Sequence, residues 1–358
     1  MFIYSTTKNI FATRDNRFKV GMGGNQILEH VRSLYVYDEC MRYGNELADR
    51  LARVISGSRV DAVMFSGGID TSYLSYTTLR LVKKNVPLVN ILYSKREVPQ
   101  ALKGVADTLG AELLVVRYDV DEFLPAVREM VGIMRSYHPV EVVETAVIYL
   151  GYRKLSREYG VKYLVSGDGS DEIFYGYPYL WGLDPEAAKN HSVKIIAKNV
   201  YPSKIINRIV GEDVVLTPYL DGGVIDFGLS LPHRVKINTF REGIFGKFFM
   251  RVWLSEALPE HAERFWTPKQ PIRAETGIPM DAIESLVPPS EVNSLMKENN
   301  VILRSSIHAY LFKAFREAGL TVPGRTGKEG TCPHCGSPID RDLLRCDTCG
   351  WWANIHGY

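Results

Sequence analysis

Between residues 60 and 166 the chain alternates between two periodicities, and this alternation limits the fold more than any other feature. Short apolar runs at 60–65, 86–93, 112–118 and 161–166 are rich in β-branched residues and read as strands. The intervening stretches 73–83, 98–109, 121–133 and 140–159 carry apolar residues at helical spacing. Repeated strand–helix–strand units predict a parallel sheet, because a parallel crossover needs a connection about as long as a helix. Right-handed crossovers bring the ends of the first and last of these strands to one carboxyl edge. The expected class is α/β: a parallel sheet flanked by helices, a mainly helical part from about 178 to 320, and a small cysteine-rich tail. Upstream, residues 2–4 and 18–20 read as a hairpin and 26–55 as helix.

Glycines and acids stand close together at the ends of two of those strands. The first strand runs into Ser66-Gly67-Gly68-Ile69-Asp70-Thr71-Ser72 and then a helix. Gly67 and Gly68 allow backbone conformations and a close anion approach that a side chain forbids. The helix N-terminus offers free N–H groups, and Ser66, Thr71 and Ser72 add hydroxyls, so the segment predicts a phosphate cradle. Asp70 would repel phosphate alone and makes sense with Mg²⁺ between them. The spacing is not that of GxxxxGK[ST], which disfavours a GTPase or Walker-type ATPase. The last strand runs into Ser166-Gly167-Asp168-Gly169-Ser170-Asp171-Glu172. An N-capping turn explains one acid there and not three; the metal reading puts Asp171 on the same Mg²⁺ as Asp70.

These motifs carry a resemblance. Residues 66–72 resemble the PP-loop of ATP pyrophosphatases, which split ATP between its α- and β-phosphates. The second loop is similar to the GEGSDE-(L/I)-F-x-G-Y loop of asparagine synthetases and the β-lactam and carbapenam synthetases. Thr217-Pro218-Tyr219-Leu220-Asp221 with Leu231-Pro232 resembles the R-x-P-F-L-D…L-P segment of that family. Lys247 to Arg251 with Leu258-Pro259 and Lys269 resembles its K-x-x-L-R…L-P…K segment. The resemblance covers roughly residues 60–320. It implies a PP-loop, adenine nucleotide alpha hydrolase-like fold and an ATP-dependent, AMP-forming amidoligase. In that scheme Ser66, Gly67, Gly68, Asp70, Thr71, Ser72, Gly167 and Asp171 hold Mg²⁺-ATP. Lys247 and Lys269 neutralise charge on the α-phosphate and the departing pyrophosphate, where cations help most.

The sequence also departs from the family. It begins Met1-Phe2 rather than Met-Cys, and the stretch before the first strand is too short for a glutaminase domain. The expected nitrogen source is therefore ammonia or an amine, with a separate glutaminase as one supplier, and the expected acceptor is a small-molecule carboxylate. Asp168 stands where asparagine synthetases have the Glu implicated in deprotonating the nucleophile, and its shorter side chain must act from closer in or through water. Leu216 replaces the Arg of the R-x-P-F-L-D segment.

Four of the five cysteines lie in the tail, as Cys332-Pro333-His334-Cys335-Gly336 and Cys346-Asp347-Thr348-Cys349-Gly350. Two C-x-x-C-G knuckles offer four thiolates to one ion, which suits Zn²⁺, with iron the minor alternative. Such a segment is too small to fold by apolar burial alone, so metal would fold it. It resembles a zinc ribbon. Arg341, Arg345, Trp351 and Trp352, with the basic run Lys189, Lys194, Lys198, Lys204 and Arg208, keep open a second reading, a PP-loop tRNA-modifying enzyme. The expected domains are an N-terminal extension (1–57), a synthetase unit (58–320) and the ribbon (329–358). A homodimer is compatible with all of this.

Composition narrows the setting. Lys and Arg number 43 and Asp and Glu 41, a net charge of +2, which excludes a histone-like or polyanionic chain. No run of about 18 apolar residues is present, so neither a membrane-spanning helix nor a membrane partner is expected. The first 18 residues lack the apolar core of a secretory signal, and the expected location is the cytoplasm.

Overall fold

The computed structural model describes residues 24–198, 200–268, 270–340 and 343–353. The hairpin expected within residues 1–20 and the side chains of Lys269 and Arg341 lie outside them. The chain opens with helices α1 (Gly24–Arg32) and α2 (Tyr37–Ser56), where the sequence suggested one helical stretch. The sheet domain follows as β1 (Ala62–Met64), α3 (Ile69–Tyr76), β2 (Leu88–Tyr93), α4 (Gln100–Leu109), β3 (Leu113–Tyr118), α5 (Val120–Met134), α6 (Glu141–Tyr159) and β4 (Leu164–Val165). All five strands of the sheet pair in parallel in the order β3-β2-β1-β4-β5, with β5 at Val215–Leu216. The order reverses between β1 and β4, the place where open α/β sheets form a crevice at their carboxyl ends.

Both faces of the sheet are covered, as the continuous apolar strands require. Ala62, Val89, Ile91 and Leu164 face one core, built on α5 and α6. Val63, Leu88 and Val165 face the other, built on α2, α3 and α4. Local signals set several boundaries. Asp119 and Glu122 form a capping box at the start of α5. Gly110 and Gly160 end α4 and α6 at φ +67°, a conformation only glycine adopts cheaply.

The strand β4 is shorter than the apolar run 161–166 suggests. The Lys162 and Tyr163 N–H groups donate to the Asp61 carboxylate, both at 2.9 Å, rather than to a neighbouring strand. The helix expected at 73–83 begins earlier, at Ile69, and its end widens into a π-turn at Thr77–Leu81.

The remainder is mainly helical, as expected: α7 (Ser170–Ile173), α8 (Pro185–Lys198), α9 (Pro202–Val210), α10 (Gly222–Ser230) and α11 (His233–Lys236). After the antiparallel hairpin β6 (Ile237–Phe240) and β7 (Gly243–Gly246) come α12 (Phe248–Ala257), a 3₁₀ turn at Pro259–Trp266, α13 (Ile272–Thr276), α14 (Met280–Glu284), α15 (Pro289–Asn299) and α16 (Ser306–Glu317). The hairpin and β5 were not legible as strands. At β5, Asn207 does the work of a neighbouring strand: its amide accepts from Val215 N (2.8 Å) and donates to Val215 O (3.0 Å). Among the described residues no helix is long and apolar enough to cross a membrane.

Candidate active site and metal centre

The glycine-rich loop leaves β1 and enters α3 at the carboxyl edge of the sheet. Ser66 N donates to Thr71 Oγ1 at 3.2 Å, Gly68 N donates to Ser66 Oγ at 3.3 Å, and Gly67 holds φ +76°. A Cβ on Gly67 would collide with the Arg264 guanidinium, whose Nε donates to Gly67 O at 2.9 Å. Arg264 thus lies against the loop, a position no sequence motif signalled. Burial lowers its pKa and Glu275 acts in the opposite sense. Ser72 differs from the other loop residues: its side chain is fully buried and its Oγ has no hydrogen-bond partner among the described residues, so it faces away from the loop surface.

The acidic loop leaves β4, the strand paired with β1, and meets the first loop directly. A Cβ on Gly167 would stand 3.2 Å from Asp70 Cβ. Ser170 Oγ donates to Asp70 Oδ1 at 2.5 Å. Lys247, at the junction of β7 and α12, sends its buried ammonium between the acids, 2.5 Å from Asp70 Oδ2 and 2.6 Å from Asp171 Oδ1. Those two oxygens are therefore no more than about 5 Å apart. Two oxygens on one Mg²⁺, at about 2.1 Å each, lie at most about 4.2 Å apart, so a small adjustment would let both acids share an ion. Gly176 is required here, since a Cβ would fall on the Asp171 carboxylate and the Lys247 stem.

The later motifs support this centre from behind. Tyr219 OH donates to Asp70 O at 3.0 Å, Leu220 packs where a Cβ of Gly169 would be, and Asp221 caps α10 through Gly223 N at 2.9 Å. Arg251 is buried and donates to the carbonyls of Gly246, Phe265 and Thr267; burial lowers its pKa to about 10. Asp168 is turned partly toward structure: its Oδ2 accepts from Ser203 N, in the first turn of α9, at 3.1 Å. Burial raises its pKa, and hydrogen bonds from Ser203 and Ser166 offset part of that rise. Lys269 lies outside the described residues, close in sequence to Arg264 and Thr267.

A parallel sheet with a glycine-rich anion loop at its switch point, and two acids facing across it, defines an α/β domain of the PP-loop type. Residues 44–205 match the family model described as asparagine synthase. Over 228 residues the chain is 25% identical to human asparagine synthetase [glutamine-hydrolyzing] and 26% identical to the Gallus gallus protein of the same name. Over 226 residues it is 26% identical to asparagine synthetase B [glutamine-hydrolyzing] of Escherichia coli (strain K12). The matches to the human and chicken proteins cover 61% of this chain, that to the E. coli protein 58%, and each covers 40% of the relative. The family likeness read from the two loops thus extends over a longer stretch: residues 44–205 match the asparagine synthase model, and the chain spans less than half the length of the curated relatives it matches.

The four tail cysteines converge. Their Sγ atoms all lie within 4.8 Å of one another and all four residues are buried. Cys332 and Cys349 are 3.5 Å apart and Cys335 and Cys346 are 3.7 Å apart, too far for disulfides. Four thiolates tetrahedrally on Zn²⁺, at about 2.3 Å each, would stand about 3.8 Å from one another, so the cluster fits that ion. Gly336 and Gly350 hold φ +75° and +73° just after each knuckle.

Proposed function

We propose that this chain is an ATP-dependent amidoligase that joins ammonia or an amine to a carboxylate through an acyl-adenylate. The observation that carries this reading is the meeting of Asp70, Asp171 and Lys247 at the end of two adjacent parallel strands, beside the Ser66–Ser72 loop. In the first step a carboxylate oxygen of the acceptor bonds to the α-phosphorus, and pyrophosphate leaves with the electron pair of the broken P–O bond. In the second, the nitrogen bonds to the acyl carbon, loses a proton, and AMP departs.

The loop amides and hydroxyls of Ser66, Gly67, Gly68 and Thr71 would hold phosphate oxygens. Asp70 and Asp171 would hold Mg²⁺, which when bound supplies positive charge to the pyrophosphate. Lys247, released from the acids by that ion, would turn its ammonium to phosphate oxygens, with Lys269 as a second cation and Arg264 as a third. Asp168 would take the proton from the nitrogen, using the oxygen that Ser203 does not occupy. We assign the synthetase unit to residues 58–320 and the zinc ribbon to 329–358, with the nitrogen delivered as free ammonia, by a separate glutaminase, or as a substrate amine.

ATP–pyrophosphate exchange across a panel of carboxylic acids, with and without ammonium and with and without tRNA, tests the reading. Acid-dependent exchange that disappears in Asp70→Asn and Asp171→Asn is expected. Exchange that survives both substitutions, or that requires tRNA and no acid, would overturn it.

A further inference from the structure

The ribbon is not a free appendage. On one side Tyr137 N donates to Thr348 O at 2.8 Å, Ser136 Oγ donates to Asp347 O at 2.7 Å, and Arg345 pairs with Glu141 at the start of α6 at 2.5 Å. The first knuckle is seated as firmly: Ile302 N donates to His334 O at 2.8 Å and Gly324 N to Cys335 O at 3.1 Å. On the other side the ribbon reaches the acidic loop by two routes. Trp352 stands edge-on to Tyr179, ring centroids 5.2 Å apart, and Tyr179 stacks on Tyr177 at 5.4 Å and 10°. Tyr177 OH then donates at 2.7 Å to Glu172, the neighbour of Asp171. Separately, Lys198 at the end of α8 pairs with Asp340 at 3.1 Å and Asp347 at 2.8 Å. His191 of the same helix packs against Tyr179, ring centroids 5.4 Å apart.

These contacts engage three of the groups that a nucleic acid could use, although Trp352 stays partly exposed. Arg345 is held by Glu141 and Asp347, Lys198 by two ribbon aspartates, and Trp352 by Tyr179. A ribbon that reads phosphates or bases presents such side chains outward.

We propose that the four-cysteine ribbon is an intramolecular clamp on the acidic loop, with Trp352 and Tyr179 as positioning residues that hold residues 170–179, and so Asp171, in register with Asp70. The physical basis is the shortness of α7. A four-residue helix has almost no stability of its own, so its position is set by what packs on it. Metal folds the ribbon, the folded ribbon presents Trp352 and Asp347, and these fix the aromatic row and α8 against the loop. The proposal rests on the reading of Asp171 as a nucleotide-site residue only for its effect on catalysis.

The test therefore uses hydrogen–deuterium exchange on the zinc-loaded full chain, comparing peptides over 168–181 with peptides over the central strand β2. Trp352→Ala should keep one zinc per chain, speed exchange over 168–181 at least tenfold and leave β2 unchanged. Trp352→Phe should restore most of the protection, since the ring contact to Tyr179 survives. Stripping the zinc from the wild type should produce the same local change, reversed by adding zinc back; this arm decides the matter where Trp352→Ala fails to fold. Unchanged exchange over 168–181, a rise spread equally over β2, or zinc lost from Trp352→Ala would each overturn the clamp. If the wild type proves inactive with every acid, the ligase reading falls while the exchange result still stands or fails by itself.

Discussion

Replacing Lys247 with methionine keeps the length of the side chain and removes its charge, which makes it the sharpest probe of the site. The Lys247 residue is 3% exposed, and its ammonium lies within 2.6 Å of both carboxylates. Without it, Asp70 and Asp171 face one another across about 5 Å with no cation between them. Two unit charges at that spacing repel by about 3 kcal/mol at an effective dielectric of about 20. Removing one partner of a buried ion pair independently leads to about 3–5 kcal/mol. In magnesium-free buffer the variant should therefore be less stable by about 3–4 kcal/mol. A divalent ion held by the same two acids should return much of this, about 2.7 kcal/mol at a hundredfold excess over its dissociation constant. Urea unfolding of wild type and Lys247→Met across a Mg²⁺ titration reads both effects, with pyrophosphate release followed in parallel. The stability gap should narrow as Mg²⁺ rises while activity stays lost. Equal stability without Mg²⁺, or a gap that Mg²⁺ leaves unchanged, would refute the shared-cation geometry.

Three other perturbations follow from the same contacts. Asp168→Asn keeps an acceptor for Ser203 N and removes the base, so acid-dependent ATP–pyrophosphate exchange should persist while amide formation falls at least a hundredfold; loss of both would make Asp168 a structural cap only. Gly176→Ala should abolish activity because its Cβ would land on the Asp171 carboxylate, whereas Gly182→Ala, with open space at that point, should match the wild type. Lys236 is buried beside the Tyr175 ring (4.4 Å) and near Lys189, and burial lowers its pKa to about 7. An unfolded lysine titrates near 10.4, so the cost of burying it is full below about pH 7 and is relieved as pH rises toward 10. Lys236→Met should accordingly stabilise the protein by on the order of 3 kcal/mol at pH 6 and by much less at pH 10, read as urea midpoints; the same shift at both would show that Lys236 does not titrate as argued.

Much of the sheet domain was legible because its signals are local. The β-branched runs at β2 and β3, the glycine stops after α4 and α6 and the Asp119–Glu122 box each act within a few residues. Both loops were legible for the same reason, since glycines and acids packed into one short segment are visible without partners. So were the four cysteines, whose spacing within each knuckle places two thiolates on one side of a turn.

Local patterning does not specify what meets across long loops. Arg264 over Gly67, Ser170 on Asp70 and Ser203 on Asp168 join positions 35 to 197 residues apart, and no periodicity encodes them. Nor did spacing reveal that Asn207 would complete β5 or that Trp352 would reach Tyr179. The amino-acid sequence alone determined which chemical groups the chain owns and which turns they sit on. The tertiary structure decided which of them become neighbours, because those contacts are set by the packing of whole helices against an open sheet, where every position depends on all the others.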